Sequence, residues 1–160
     1  MDTIDRTLLA ELTRDAAQSY ARLGEAVGLS APAAHDRVRK LRKGGALHAV
    51  EARINPHAVG KTLLAFVHVD TSGWGKSPAL MALADLPEVE EIHSVTGDTC
   101  MLLKVRVTDS EALEGFLARL YAIEDVTATR SYVALSTYLE RPPQAGITAD
   151  LTIRQDRAAR

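Results

Sequence analysis

Arg39, Lys40, Arg42 and Lys43 crowd one short stretch of this chain, preceded by Ser30, Ala33, His35 and Asp36. Those residue types, spread along a single helix, suit contact with duplex DNA. A guanidinium can grip a guanine edge or a phosphate, an ammonium is a point charge for phosphate, and small side chains admit close approach. Ser30, Ala33, His35, Asp36, Arg39 and Lys40 are therefore the candidates at the bases, with Arg42 and Lys43 reaching phosphates. A base contact made through two hydrogen bonds discriminates by ~1–3 kcal/mol, whereas phosphate contacts set affinity and its salt dependence. The same cations would also suit an ordinary solvated helix, and His35 reads equally well as a plain exposed residue, since imidazole is not a demanding base reader. Arg37 has a structural alternative, pairing with an acid in the first helix.

A second group, Thr96, Gly97, Asp98, Thr99 and Cys100, could hold a small molecule. Backbone N–H groups around a glycine can bind a carboxylate, and Asp98 can accept from an ammonium group, which together are the two ends of an amino acid. An ordinary hairpin turn explains the same residues, and locally it is the simpler reading. Cys100 and His93 do not make a nucleophile and base, because they fall on different expected strands. The histidines at 35, 48, 57, 68 and 93 show no ligand spacing. No catalytic residue, metal or cofactor is expected.

The elements needed to position these groups can be read from periodicity. Leu23, Ala26 and Val27 recur at helical spacing over Tyr20 to Val27, Gly28 interrupts them, and Ser30 stands where an N-cap should. Pro32 falls in the first turn of the next helix, where its missing donor costs nothing. Over Ala31 to Arg42, Ala34, Val38 and Leu41 line one face, and Gly44 and Gly45 end the run. An earlier helix over Asp5 to Thr13 carries Ile4, Leu8, Leu9 and Leu12 as its apolar stripe. Helix, glycine-centred turn, serine cap and basic helix, in that order, are the pattern of a helix-turn-helix. Leu47 to Ile54 reads as a small wing or linking strand, and Asn55-Pro56 as a break.

Beyond Lys61 the pattern changes. Strands are expected over Leu63 to Val69, Val89 to Thr96, Met101 to Val107 and Val126 to Leu139, with helices over Pro78 to Leu86 and, capped by Ser110, on to Tyr121. A turn at Gly97-Asp98 joins the middle strands. Strand, helix, strand, strand, helix, strand is the split βαβ order, in which two helices cover one face of an antiparallel four-stranded sheet. Half-apolar strands leave the other face to be covered by a second copy. The expected fold class is thus α+β: a winged helix-turn-helix over residues 1–50, a linker strand and hinge over 51–62, a split βαβ effector and oligomerisation domain over 63–140, and a mobile tail over 141–160, where paired prolines lead into a charged ending.

Length and composition set limits on this reading. A chain of 160 residues has room for one domain or two small ones. Its formal net charge of −2 excludes a uniformly basic nucleic-acid coat, so DNA affinity must come from local placement of cations. Aromatic residues, at 4%, provide no stacking platform for single strands. One cysteine rules out an internal disulfide and suits a reducing compartment. With no leader-like opening and no membrane-length apolar run, a cytoplasmic location and no membrane partner are expected.

Five short segments together resemble the Lrp/AsnC family, the leucine-responsive and asparagine-responsive (feast or famine) transcription regulators: Ile4-Asp5-Arg6, Val27-Gly28-Leu29-Ser30, Arg37-Val38-Arg39-Lys40-Leu41, Ala52-Arg53-Ile54-Asn55-Pro56 and Val95-Thr96-Gly97-Asp98. The resemblance extends to about Leu139. It implies a winged helix-turn-helix that binds double-stranded DNA, a split βαβ effector domain, homodimers that assemble further, and response to an amino acid or related metabolite. It also favours the effector reading of Thr96 to Cys100 over a plain turn, and places that loop at a contact between dimers. Two positions depart from the family pattern. Cys100 stands where a second acid is common, so leucine or asparagine is not carried over as the ligand. Asp36 stands where a cation is frequent; it can accept from a cytosine amino group, so the operator is expected to differ. Two other functions compete: an enzyme resembling the sirohaem decarboxylases of the same architecture, disfavoured by the basic helix, and an architectural protein that wraps DNA with little sequence preference.

Overall fold

The computed structural model describes residues 1–73 and 77–146 and divides into two compact units: residues 1–52 together with the stretch from Glu140, and Arg53–Leu139.

The first unit holds three helices: α1 (Thr3–Arg14), α2 (Tyr20–Val27) and α3 (Ala31–Lys43). Helix α1 begins two residues before the expected Asp5 because Asp2 and Asp5 form a reciprocal capping box. The Asp5 N–H donates to Asp2 Oδ1 at 2.8 Å and the Asp2 N–H to Asp5 Oδ2 at 3.3 Å. Ser19 and Ser30 cap α2 and α3, and Gly28, at φ 70°, ends α2 in the left-handed conformation. Leu8, Leu23, Ala34, Val38 and Leu41 form the buried core, with Ile4, Leu9, Leu12, Val27 and Leu47 packed around it. Ala26, expected on the apolar face of α2, is exposed instead.

The close fit of α2 to the turn depends on Gly24. A Cβ there would stand 2.4 Å from the Leu29 carbonyl oxygen, and the Leu29 N–H donates to the Gly24 carbonyl at 2.8 Å. Beyond Gly45, residues 48–55 form no strand, contrary to the expected wing or linking strand. A strand exists only with a ladder partner, and this stretch joins no sheet ladder among the described residues; Val50 and Ile54 are exposed. Asn55 instead caps a 3₁₀ turn, Pro56–Val59.

The second unit is a four-stranded antiparallel sheet in the order β2-β3-β1-β4, made of β1 (Leu63–Thr71), β2 (Val89–Ser94), β3 (Met101–Val107) and β4 (Val126–Val133). Ala65, Val67, Val69, Leu103 and Val105 point to one face and pack beneath Leu80, Leu83, Leu113, Phe116 and Leu120. The first pair of these covering residues comes from a short α4 (Pro78–Met81) and the 3₁₀ turn Ala82–Asp85, the rest from α5 (Ser110–Tyr121). One continuous helix to Leu86 was expected. Pro87 pushes Leu86 into extended backbone, φ −81° and ψ 127°, and the element ends before it. The cap of α5 is Asp109, whose carboxylate accepts from the Ala112 N–H at 2.9 Å, rather than Ser110.

Strand β4 stops well short of the expected Leu139. Its partner β1 begins at Leu63, so the last cross-strand bond runs from the Ala134 N–H to the Leu64 carbonyl, 2.9 Å. Leu135 and Tyr138 beyond it are more than nine-tenths exposed. Strand β2 ends at Ser94 rather than Thr96. Of the segment expected to be a mobile tail, residues 141–146 are described, and the Ala145 carbonyl accepts from Arg6 Nη1 of α1 at 3.1 Å; the remainder lies outside the described residues.

Candidate nucleic-acid interface and effector loop

The uncovered side of α3 carries His35, Asp36, Arg39, Lys40, Arg42 and Lys43, all exposed, with Ser30 at its N-terminal end and Ala33 half-buried. The eight residues expected at DNA therefore share one helix and its cap. Three of the polar side chains are already engaged. Asp36 Oδ1 lies 3.1 Å from Arg39 Nη2, and the His35 ring meets Tyr20 edge-on with centroids 4.8 Å apart. Lys40, Arg42 and Lys43 make no ion pair among the described residues.

Arg37 points the other way. Its Nη1 is 2.7 Å from both Asp2 Oδ2 and Asp5 Oδ1, so it ties α3 to the start of α1 and takes the structural role. The Asp5 backbone N–H, and after it the Arg37 guanidinium, hold the Asp2 carboxyl below its usual range, while Asp2 and Asp5 raise the pKa of Arg37.

In the other unit, the loop between β2 and β3 is pinned at its root by the Val95 N–H, which donates to the Cys100 carbonyl at 3.1 Å. Thr96, Gly97 and Asp98 are exposed, and Gly97 adopts φ 136°, a backbone conformation that disfavours a side chain. Thr99 and Cys100 turn inward. The Thr99 hydroxyl is buried, within reach of the Val69 carbonyl at 3.2 Å and the Met101 carbonyl at 3.3 Å, and Cys100 packs half-buried against the sheet core. The candidate residues thus separate into an outward trio and an inward pair that anchors it.

Two residues at this loop, Arg130 and Asp70, have no counterpart in the sequence reading. Arg130 of β4 donates from Nη2 to the Asp98 carbonyl at 2.8 Å and from Nη1 to Asp98 Oδ2 at 3.3 Å, with Asp70 Oδ2 of β1 3.7 Å from Nη2. The period-2 alternation of β4 could have assigned Arg130 to the face of Tyr132, but only the β1–β4 register brings it toward the loop. His93 is paired with Glu91 at 2.8 Å, which lowers the Glu91 pKa. A separate cleft of about 270 Å³, lined in part by Lys61, Glu88 and Phe116, opens at the Val107 end of β3, away from the loop.

The side of the sheet opposite its helices carries Phe66, His68, Leu102, Lys104, Arg130 and Tyr132, with the rings of His68 and Tyr132 5.0 Å apart. Phe66 and Tyr132 are exposed, and buried His68 Nδ1 has no hydrogen-bond partner. No described helix is long and apolar enough to cross a membrane, and no group of three or more metal-ligating side chains gathers among the described residues.

A helix-turn-helix with a cation-rich third helix, followed by an antiparallel sheet domain with an exposed, anchored loop, defines a DNA-binding transcription regulator with a ligand domain. Residues 1–42 match the AsnC-type helix-turn-helix domain and residues 64–144 the Lrp/AsnC ligand binding domain, so the chain belongs to the Lrp/AsnC family. It is similar to the HTH-type transcriptional regulator LrpA of Mycobacterium tuberculosis, 40% identical over 86% of this chain and 92% of that protein. It is also similar to the HTH-type transcriptional regulator FL11 of Pyrococcus horikoshii, 33% identical over 88% and 93%. Among solved structures, the M. tuberculosis feast or famine regulatory protein complexed with L-methionine matches with a TM-score of 0.83 and 36% identity over 91% of this chain and 99% of that one. These relatives are regulators by name, and the chain is a regulator rather than an enzyme of the sirohaem decarboxylase kind.

Proposed function

We propose that this chain is a sequence-specific transcription regulator of the cytoplasm whose homodimers, assembling further, respond to an amino acid or related metabolite held at the Thr96 to Cys100 loop. The observation that carries the reading is the division of that loop. Thr99 ties it to β1 through the Val69 carbonyl, which leaves Thr96, Gly97 and Asp98 presented to solvent on a fixed base. The complex of a similar M. tuberculosis protein with L-methionine supports an amino acid as the class of effector.

DNA is read by the exposed side of α3. Ser30, Ala33, His35, Asp36, Arg39 and Lys40 meet base edges, while Arg42 and Lys43 meet phosphates. The uncovered sheet face, with Phe66 and Tyr132 exposed, supports pairing with a second copy. A dimer presents two reading helices to two half-sites, and a ligand that alters the assembly alters how those helices are spaced.

The test is footprinting of the purified protein on its own promoter region, at stated salt and against bulk competitor DNA, with and without each of the twenty amino acids. A discrete protected site whose extent changes with one of them is the expected result. Gly97→Trp should abolish the change and leave DNA binding by the dimer intact. Unaltered effector affinity in that variant would sink the loop assignment, and protection lost to bulk competitor would favour an architectural role.

A further inference from the structure

Asp98 is the loop's only charged side chain, and it is not free. One guanidinium, that of Arg130, holds both its carbonyl (2.8 Å) and its carboxylate (3.3 Å), and faces Asp70 at 3.7 Å. A single cation from β4 thus stands between two carboxylates, one on the rigid strand β1 and one on the loop. The Asp98 side chain is 81% exposed and that of Arg130 43%. Exposed ion pairs of this kind contribute little net stability, because water competes for both charges. The Arg130–Asp98 bond is therefore one that a ligand can exchange at small cost.

The ligand suited to that exchange carries both charges at short separation. An amino acid does so on one carbon: its carboxylate matches the guanidinium fork and its ammonium matches a carboxylate. We infer that Arg130 is the residue that receives the effector's carboxylate. The amino acid displaces Asp98 from Arg130, its Oδ2 from Nη1 and its carbonyl from Nη2, which frees the fork for the carboxylate, and the Asp98 side chain then accepts from the ammonium. Both protein charges end paired with an opposite charge from the ligand, and the net charge of the site is unchanged. Asp70 keeps the guanidinium anchored on β1 throughout. Neither a simple amine nor a simple acid completes this exchange, since each leaves one of the two residues without its partner.

This assignment rests on the loop reading proposed above, and the experiment separates the two. Titration calorimetry on the full chain first identifies, among the twenty L-amino acids, the one bound most tightly, and then compares it with its primary carboxamide. Wild type should prefer the acid by roughly 10-fold or more, since a charged, two-bonded contact is lost with the amide. In Arg130→Gln the preference should vanish, through a fall in acid affinity alone, while Arg130→Lys, which keeps the charge without the fork, should be intermediate. A merely structural role would weaken acid and amide alike, and that result overturns the assignment. Equal affinity of wild type for acid and amide overturns it without any variant. Binding in Arg130→Gln with the preference retained overturns this assignment and leaves the loop reading standing. Wild type that binds no amino acid overturns both.

Discussion

Asp36 Oδ1 lies 3.1 Å from Arg39 Nη2, one turn along the exposed side of α3, so the acid neutralises the foremost arginine of the helix that faces away from the core. His35 Nδ1 approaches the same oxygen at 3.8 Å. Both partners are more than half exposed, so the pair adds little to folding. On the proposed reading of α3, its importance lies in DNA binding. Arg39 gives its full charge to a phosphate only by leaving Asp36, and a base pair that offers a donor to Asp36 and an acceptor to Arg39 suits the two together.

Asp36→Asn should therefore bind non-cognate DNA more tightly and discriminate less. The expected signature is a steeper fall of log affinity with log salt, by about one unit of slope for one added phosphate contact. Titration of random duplex at several salt concentrations measures it, with the melting temperature as control. An unchanged slope together with unchanged specificity would remove Asp36 from operator choice.

The parts of this architecture that local chemistry determines were legible in the sequence. Ser30, Pro32 and the Ala34–Val38–Leu41 spacing specify α3 within one short segment, and α5 follows from its own stripe. Where two neighbours compete for one role the text is ambiguous, as with Asp109 and Ser110, both good N-caps. Apart from the pairing of Arg37 with Asp5, features set by distant partners were not legible. Leu47 to Ile54 looks extended, but a strand needs a ladder. The end of β4 is determined by where β1 begins, not by its own alternation. At the loop, Thr96 to Asp98 stood out because glycine and an acid share a turn, while Arg130 gave no local signal. The inward turn of Thr99 depends on a carbonyl thirty residues earlier in the chain.

Arg37 offers a pH-dependent test of the first unit. The Asp5 N–H and then Arg37 lower the Asp2 pKa from its usual 3.8, so this contribution to stability is fully present above that value and is lost as pH falls through the lowered one. Arg37→Ala should lower the melting temperature at neutral pH and soften the loss in acid, without abolishing it, because the backbone N–H remains. Melting curves of the full chain from pH 7 to about 2 report both effects. Parallel curves for the two proteins would show that the Asp2–Arg37 contact is not felt in solution.

Gly24 is required by space rather than by backbone angle. A methyl group there would stand 2.4 Å from the Leu29 carbonyl oxygen, a backbone atom that cannot swing aside. Gly24→Ala should force α2 away from the turn and cost about 1–3 kcal/mol, the usual range for overpacking. Calorimetry should show a lowered transition for the helix-turn-helix unit. A transition within a degree of wild type would mean that α2 and the turn are not so closely fitted.

The uncovered sheet face gives the last test. Phe66 and Tyr132 are paired across β1 and β4 and are both exposed, beside a buried His68 Nδ1 without a partner. An exposed aromatic pair beside Leu102 on this face is what a second copy would bury, and under two-fold symmetry each substitution is felt twice. Phe66→Glu should therefore shift the protein toward monomer in sedimentation velocity while leaving its circular dichroism unchanged, because the side chain does not enter the protomer core. DNA affinity should fall in the same variant, since a monomer brings one reading helix where a dimer brings two. Phe66→Leu, which keeps the apolar surface, should sediment as wild type. An unaltered assembly in Phe66→Glu would mean that the copies join through another surface and that this face serves some different purpose.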